Sequence, residues 1–384
     1  MKSEVLRVVP RAEGRGLEAR RRGPKRPPDV VLAFLPPGPG LATLLGDLVR
    51  SFEGALLVGC EAVTQFAGDE LTAEGAVQLF WFEEPAHGAR LTVIRSRDGG
   101  ASGARNLVEG DLEEAAAALE AADAAFLLAD GLRVPAWEVV ERLETFSPKG
   151  RPRHVAGGLA SQMEPIGDRG SRVFVGTEIL DRACLLVTFH GVEMDVEVVR
   201  GWDPASPIFT VTDAEGSVLR AIDGEGATDW FRRFFTVDGE LAPMPEAAHL
   251  FPLIIEGPRP ERRDLYRSMQ SFDEPPGAVT FWGDLRTGDM VRLGMGNDDS
   301  LLETAARLPE RPAPEAAVLY SCVGRQAVLG GRARSEVATI HGALRGAALS
   351  GFFTFGEIGP AAGGDRLAFY NQTAVLALLR ERAR

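Results

Sequence analysis

Residues 316–325 read Ala-Ala-Val-Leu-Tyr-Ser-Cys-Val-Gly-Arg, and residues 351–360 read Gly-Phe-Phe-Thr-Phe-Gly-Glu-Ile-Gly-Pro. The first is a strand-like apolar run that closes on a thiol and a guanidinium. The second carries one carboxylate, Glu357, among glycines and aromatic residues, a pattern for backbone that bends tightly and approaches a neighbour closely. Between them, Glu336–Leu344 has helical spacing, and Ala347–Gly351 begins another strand-like run. Strand, helix and strand in that order make a βαβ crossover.

Working outward, the same order occurs twice more. Asp29–Phe34 is apolar, Pro36–Gly40 breaks it, Leu41, Leu44, Leu45, Leu48 and Val49 recur at helical spacing, and Ala55–Val58 leads into Gly59-Cys60. Ala124–Leu128, a helical pattern over Trp137–Phe146 and Val155–Gly158 form the copy that is second in sequence. The spans Phe34 to Gly59, Asp130 to Gly157 and Cys322 to Gly351 are nearly equal, as repeated units require. Added strands are expected over Arg172–Val175, Ala183–Phe189, Val192–Val199 and Leu367–Leu378, and a hairpin over Ala76–Phe82 and Leu91–Arg95. In the middle, Asp213–Gly216 reads as a hairpin turn, Asp229–Phe235 and Asp299–Leu308 as helices, and Tyr266–Phe272 with Ala278–Trp282 as an antiparallel pair. The expected fold class is α/β: two comparable mixed α/β domains, residues 29–205 and 206–384, built from repeated strand–helix–strand units with added antiparallel strands.

Charge is unevenly spread. Residues 1–28 carry nine Lys/Arg against three Glu, a net of +6, which leaves −19 for residues 29–384 of a chain with net charge −13. Residues 1–28 therefore read as a basic, flexible, solvated tail, and the acidic body argues against nucleic acid as a partner. No apolar run has the length of a signal peptide core or a membrane span. Cys60, Cys184 and Cys322 are far apart and in no metal-ligand spacing, which fits a reducing cytoplasm without structural disulfides or zinc. The expected location is cytoplasmic, with no membrane partner.

Three short runs hold the chemistry. Asn371-Gln372-Thr373 interrupts an apolar stretch, and polar groups buried there need partners. Asn371 and Thr373 fall on one strand face, where they either line a pocket or peg the Gly356–Gly359 backbone. Arg325 has a planar fork suited to a carboxylate, which is either Glu357 or a ligand's. Cys322 is either a small buried hydrophobe or a thiolate whose pKa Arg325 lowers. The expected binding residues are Cys322, Arg325, Gly351, Thr354, Gly356, Glu357, Asn371 and Thr373, meeting in one polar pocket that offers a zwitterion one charge of each sign. Gly294-Met295-Gly296 lacks the lysine of a phosphate loop, so nucleotide binding has no support.

These same runs resemble the C domain of the FIST family, together with Phe251-Pro252-Leu253 and Arg267-Ser268. Gly201-Trp202, Val211-Thr212 and Asp213–Gly216 resemble the joint between that family's two domains. Pro28–Phe34, Val58-Gly59-Cys60 and Ala156–Ala160 resemble its N domain. One departure is Glu61–Phe66, where the family has small hydroxyl residues and a Gly-Glu after its Gly-Cys. The resemblance implies a sensory module that binds a small molecule such as an amino acid. It implies a separate signalling partner, such as a histidine kinase or a cyclic-dinucleotide enzyme. Some relatives are haem proteins that respond to nitric oxide, so haem is the alternative cofactor to none; His87, His154, His190, His249 and His341 show no pattern that selects one as its ligand. A cysteine-dependent enzyme would need a base near Cys322, and no histidine adjoins it in sequence. A protein-recruiting adaptor is the remaining alternative.

Overall fold

The structure is a computed structural model that describes all residues except 12–13, 18–22, 98–106, 147–153, 163–170, 310, 365 and 384. The chain opens on β1 (Lys2–Arg11). A parallel pair follows, β2 (Val30–Leu35) and β3 (Leu56–Glu61), joined by α1 (Leu41–Ser51). Next come β4 (Gln65–Ala67), β5 (Ala76–Trp81) and β6 (Gly88–Arg95). A second parallel pair, β7 (Ala124–Ala129) and β8 (Val155–Leu159), is joined by α2 (Ala136–Phe146). After β9 (Ala183–His190) and β10 (Val192–Val199), residues 202–296 fold into a separate antiparallel sheet around the helix Ala227–Phe235. The third parallel pair is β11 (Ala316–Cys322) and β12 (Ala348–Thr354), joined by α3 (Val323–Leu329) and α4 (Ala333–Ala343). The chain ends with β13 (Glu357–Pro360), β14 (Leu367–Tyr370) and β15 (Ala374–Glu381).

Each parallel pair lies in its own sheet. The first sheet includes β3-β2-β5-β1, the second runs β14-β13-β8-β7-β9-β6, and the third includes β10-β15-β11-β12-β4. Their inner faces meet in one core, where the rings of Phe34, Phe126, Phe189, Tyr320 and Phe352 touch edge to face or tilted. The outer faces are covered by α1, by α2 and by α4. Covered on both sides, β2 and β7 are apolar throughout and β11 is so up to Ser321, as buried parallel strands are.

The three crossovers share one device. Gly59, Gly157 and Gly351 each sit opposite a residue of the partner strand, Ala33, Leu127 and Leu319. A Cβ at any of the three would overlap that residue's carbonyl oxygen. The glycines seen in sequence at the ends of the units are there because two backbones approach too closely for a side chain.

The protein is thus a mixed α/β protein of two domains, and the two are interleaved. β13 and β14, from the C-terminal half, complete the second sheet, while β4 and β10, from the N-terminal half, complete the third. Two expectations are corrected. β5 and β6 are strands but not a hairpin, since β5 pairs with β1 and β2 and β6 pairs with β9. Alternation in sequence identifies a strand but not its partner. The first residues are not a solvated tail, because β1 pairs along β5 from Lys2↔Trp81 to Arg7↔Ala76 and buries Met1, Leu6 and Val8. Within this strand Glu4 accepts from the Gly23 amide and Arg7 pairs with Glu70.

Candidate functional site

In α/β sheets, ligands gather at the carboxyl ends of parallel strands. Here that place holds a closely spaced polar cluster. Cys322 ends β11, and Thr354 ends β12 in register with it. Glu357 opens β13 opposite Gly158 of β8. Thr373 precedes β15, and its carbonyl oxygen accepts from the Cys322 amide at 2.9 Å. One Glu357 oxygen, Oε2, accepts from both the Thr373 amide (3.2 Å) and hydroxyl (2.8 Å). The Cys322 thiol lies within reach of the carboxyl, whose other oxygen, Oε1, has no further hydrogen-bond partner among the described residues.

Burial dominates the electrostatics. It pushes the Glu357 pKa well above the ordinary carboxyl range, against the Thr373 donors and the field of Arg325. It also pushes the neighbouring Cys322 thiol up, and the Glu357 carboxyl adds to that shift. Removing charge from water is costly, so both groups favour their neutral forms.

Beside them, Asn371 Oδ1 accepts from the Ser268 amide at 3.4 Å, and its Nδ2 is without a partner. Gln372 is held at φ +61°, with Nε2 donating to the His249 carbonyl (3.0 Å) and the Ser268 hydroxyl (3.2 Å) and Oε1 unpartnered. The indole of Trp202 donates to the Gln372 carbonyl at 2.6 Å. Gly324 is required here because a Cβ would run into the Gln372 amide. Asn371, Gln372 and Thr373 therefore connect the strand ends to the 202–296 sheet.

Of the eight expected binding residues, Cys322, Glu357 and Thr373 lie against one another, while the Asn371 side chain turns to the Ser268 amide. Thr354 and Gly356 shape the crossing from β12 to β13. Thr354 Oγ1 accepts from the Leu159 amide (2.7 Å) and the Gly356 amide (3.2 Å) and lies 2.8 and 2.6 Å from the two carbonyl oxygens. Gly351 lies deeper in β12, against Leu319.

Arg325 does not pair with Glu357. It is fully buried in α3, donates from Nε to Glu336 Oε1 at 2.9 Å, and bonds the carbonyl oxygens of Arg200 (2.7 Å) and Leu301 (3.4 Å). Glu336 also accepts from the Ser321 hydroxyl at 3.2 Å. Four of the five guanidinium N–H donors are thus taken by the protein. Glu336 went unnoticed because it lies in the helical run before Val337 and Ile340, with no local pattern tying it to Arg325. Gln65 and Ser171, both fully buried and both with an unpartnered oxygen, also escaped sequence reading.

The cluster's side-chain donors and acceptors belong to Glu357, Thr373, Asn371, Gln372 and Cys322. His87 Nδ1 is engaged by Glu381 at 2.7 Å and His249 Nε2 by the Met269 carbonyl at 3.0 Å.

The architecture is that of an α/β protein with its polar groups enclosed at a strand-end crossing. Residues 29–225 match the FIST N domain and residues 227–360 the FIST C domain. An uncharacterized protein of Mycobacterium tuberculosis is 28% identical over 353 residues, covering 87% of this chain and 86% of that protein. One of Mycobacterium bovis is 28% identical over 354 residues, covering 88% and 86%. The chain belongs to the FIST family, whose domains are associated with sensory signal transduction. Among the described residues no helix is long and apolar enough to cross a membrane.

Proposed function

We propose that the protein is a small-molecule-binding sensory protein that takes an amino acid, or a similar small charged metabolite, at the Glu357–Asn371–Gln372–Thr373 cluster. It would signal to a separate partner, such as a histidine kinase or a cyclic-dinucleotide enzyme. One observation carries this reading. Glu357 Oε1, Asn371 Nδ2 and Gln372 Oε1 are buried hydrogen-bonding atoms without partners among the described residues, and Thr373, which follows Asn371 and Gln372 in the chain, binds the Glu357 carboxyl. Each such atom costs about 1–3 kcal/mol when left unmet, so a ligand that meets all three gains what the free protein lacks.

The atoms also suit the ligand by type. Glu357 Oε1 and Gln372 Oε1 accept from an ammonium, and Asn371 Nδ2 donates to a carboxylate. An arriving ammonium stabilises ionised Glu357, so the ion pair forms only when the ligand is present. Because Gln372 is held by Ser268, His249 and Trp202, occupancy would be transmitted to the 202–296 sheet. Arg325 has no part in binding on this reading.

Thermal unfolding with a panel of proteinogenic amino acids tests it, since a specific ligand raises the midpoint by mass action. The expected result is a midpoint increase for wild type that Glu357→Gln and Asn371→Ala abolish. An increase of equal size in wild type and Glu357→Gln removes the cluster from the account.

A further inference from the structure

A second group of unpartnered buried atoms adjoins the first on the far side of Gly158. Tyr320 Oη, Gln65 Oε1 and Ser171 Oγ have no partner among the described residues, and all three side chains are fully buried. They come from three places in the chain, and each lies beside residues 60–62 at the carboxyl end of β3. The Tyr320 hydroxyl lies near Cys60. The Gln65 Nε2 donates to the Ala62 carbonyl. Ser171 continues the strand whose Val173 pairs with Cys60, which sets it across from Ala62. Gly158 is the shared wall: it pairs with Glu357, and a Cβ there would lie 2.8 Å from the Tyr320 ring and 3.0 Å from Thr354 Oγ1.

Among the described residues the carboxylates at this end are already engaged. Glu61 gives both oxygens to Arg172, at 2.6, 2.9 and 3.1 Å. Asp130 accepts the amides of Leu132 (3.0 Å), Arg133 (3.1 Å) and Arg182 (2.9 Å). A charged group brought here would be left without a counter-charge, and an apolar one would leave three polar atoms unmet. Tyr320 offers a donor to a carbonyl, Gln65 Oε1 an acceptor to an N–H, and Ser171 either role. Among amino-acid side chains, only those of asparagine and glutamine, which end in a primary carboxamide, carry both a carbonyl and N–H donors without charge.

We propose that Gln65, Ser171 and Tyr320 form the specificity end of the site and select a ligand ending in a carboxamide. This rests on the amino-acid reading above and narrows it to amide side chains. It also gives the N-terminal half a direct part in binding: Gln65 and Ser171 belong to that half, and Gln65 lies in the segment Glu61–Phe66 where this chain departs from the family pattern.

Titration calorimetry on the full chain, with glutamine and asparagine against glutamate, aspartate and methionine, decides the matter. Wild type is expected to bind an amide at least about tenfold more tightly than its acid or apolar counterpart, because a site built for hydrogen bonds rejects analogues that leave them unmet. Gln65→Leu, Tyr320→Phe and the milder Ser171→Ala should each shrink that preference about tenfold, with circular dichroism confirming the fold. Equal binding of amide and acid by wild type, abolished by Glu357→Gln, overturns the carboxamide end and leaves the amino-acid reading intact. A preference for amides that survives in all three variants overturns the assignment of these residues. No binding of any of the probes overturns both readings.

Discussion

Arg325 and Glu336 form a closed pair in which neither side chain reaches solvent, with Nε donating to Oε1 at 2.9 Å. The guanidinium also bonds the carbonyls of Arg200 and Leu301, one at the end of β10 and one in the helix Asp298–Ala306. Arg325 therefore ties three segments around α3, and its role is to hold the strand ends in place. Glu336→Gln should lower stability by about 3–5 kcal/mol in urea unfolding, because one buried charge then lacks its partner. Arg325→Met with Glu336→Leu together should cost much less than the single changes summed. A near-silent Glu336→Gln contradicts the pairing.

The raised pKa of Glu357 has a sign that can be worked out. The folded state keeps a proton that the unfolded chain releases near pH about 4.3. The unfolded state is thus the better acid, and stability falls as pH rises from there toward the folded-state value. Glu357→Gln has nothing to ionise. Its stability relative to wild type should therefore grow across a series of urea curves from mildly acidic to mildly alkaline buffer. A constant difference would mean that Glu357 is ionised in the folded protein.

Tyr320→Phe removes a hydroxyl that has no partner. In ligand-free protein it should raise stability by up to about 1 kcal/mol, since an unmet buried polar group is a cost. A loss of stability would show that the hydroxyl is satisfied in the free protein.

The three crossover glycines should respond alike. Alanine at Gly59, Gly157 or Gly351 forces two strands apart at a carbonyl oxygen and should cost at least about 3 kcal/mol in each case. Alanine at Gly331 or Gly342, where a Cβ meets open space, should be tolerated. Thermal melts of the five variants compare them directly.

The repeated units were legible because each carries its own punctuation: an apolar run, a helical period and a glycine. The convergence of Cys322, Glu357 and Thr373 was legible for a related reason, since isolated polar groups in apolar strands must find one another. Long-range choices were not. Whether Arg325 would pair with Glu357 or Glu336 depends on where α4 lies, and both carboxylates were available in sequence. β1 was hidden because Lys2 and Glu4 fall on the same strand face as the buried Leu6 and Val8, so no alternation marked a buried side. Gln65 and Ser171 gave no signal at all, because a lone Gln or Ser shows its lack of a partner only when its surroundings are fixed.

The exchange of strands between the halves limits how this chain could be recombined. Each half, cut out by itself, would present open sheet edges where the other's β13–β14 or β4 and β10 now lie, and open edges invite aggregation. Gene fusions that attach an output module would have to join at the ends of the whole unit, since a break between the FIST N and FIST C regions at residues 225–227 leaves neither product with complete sheets.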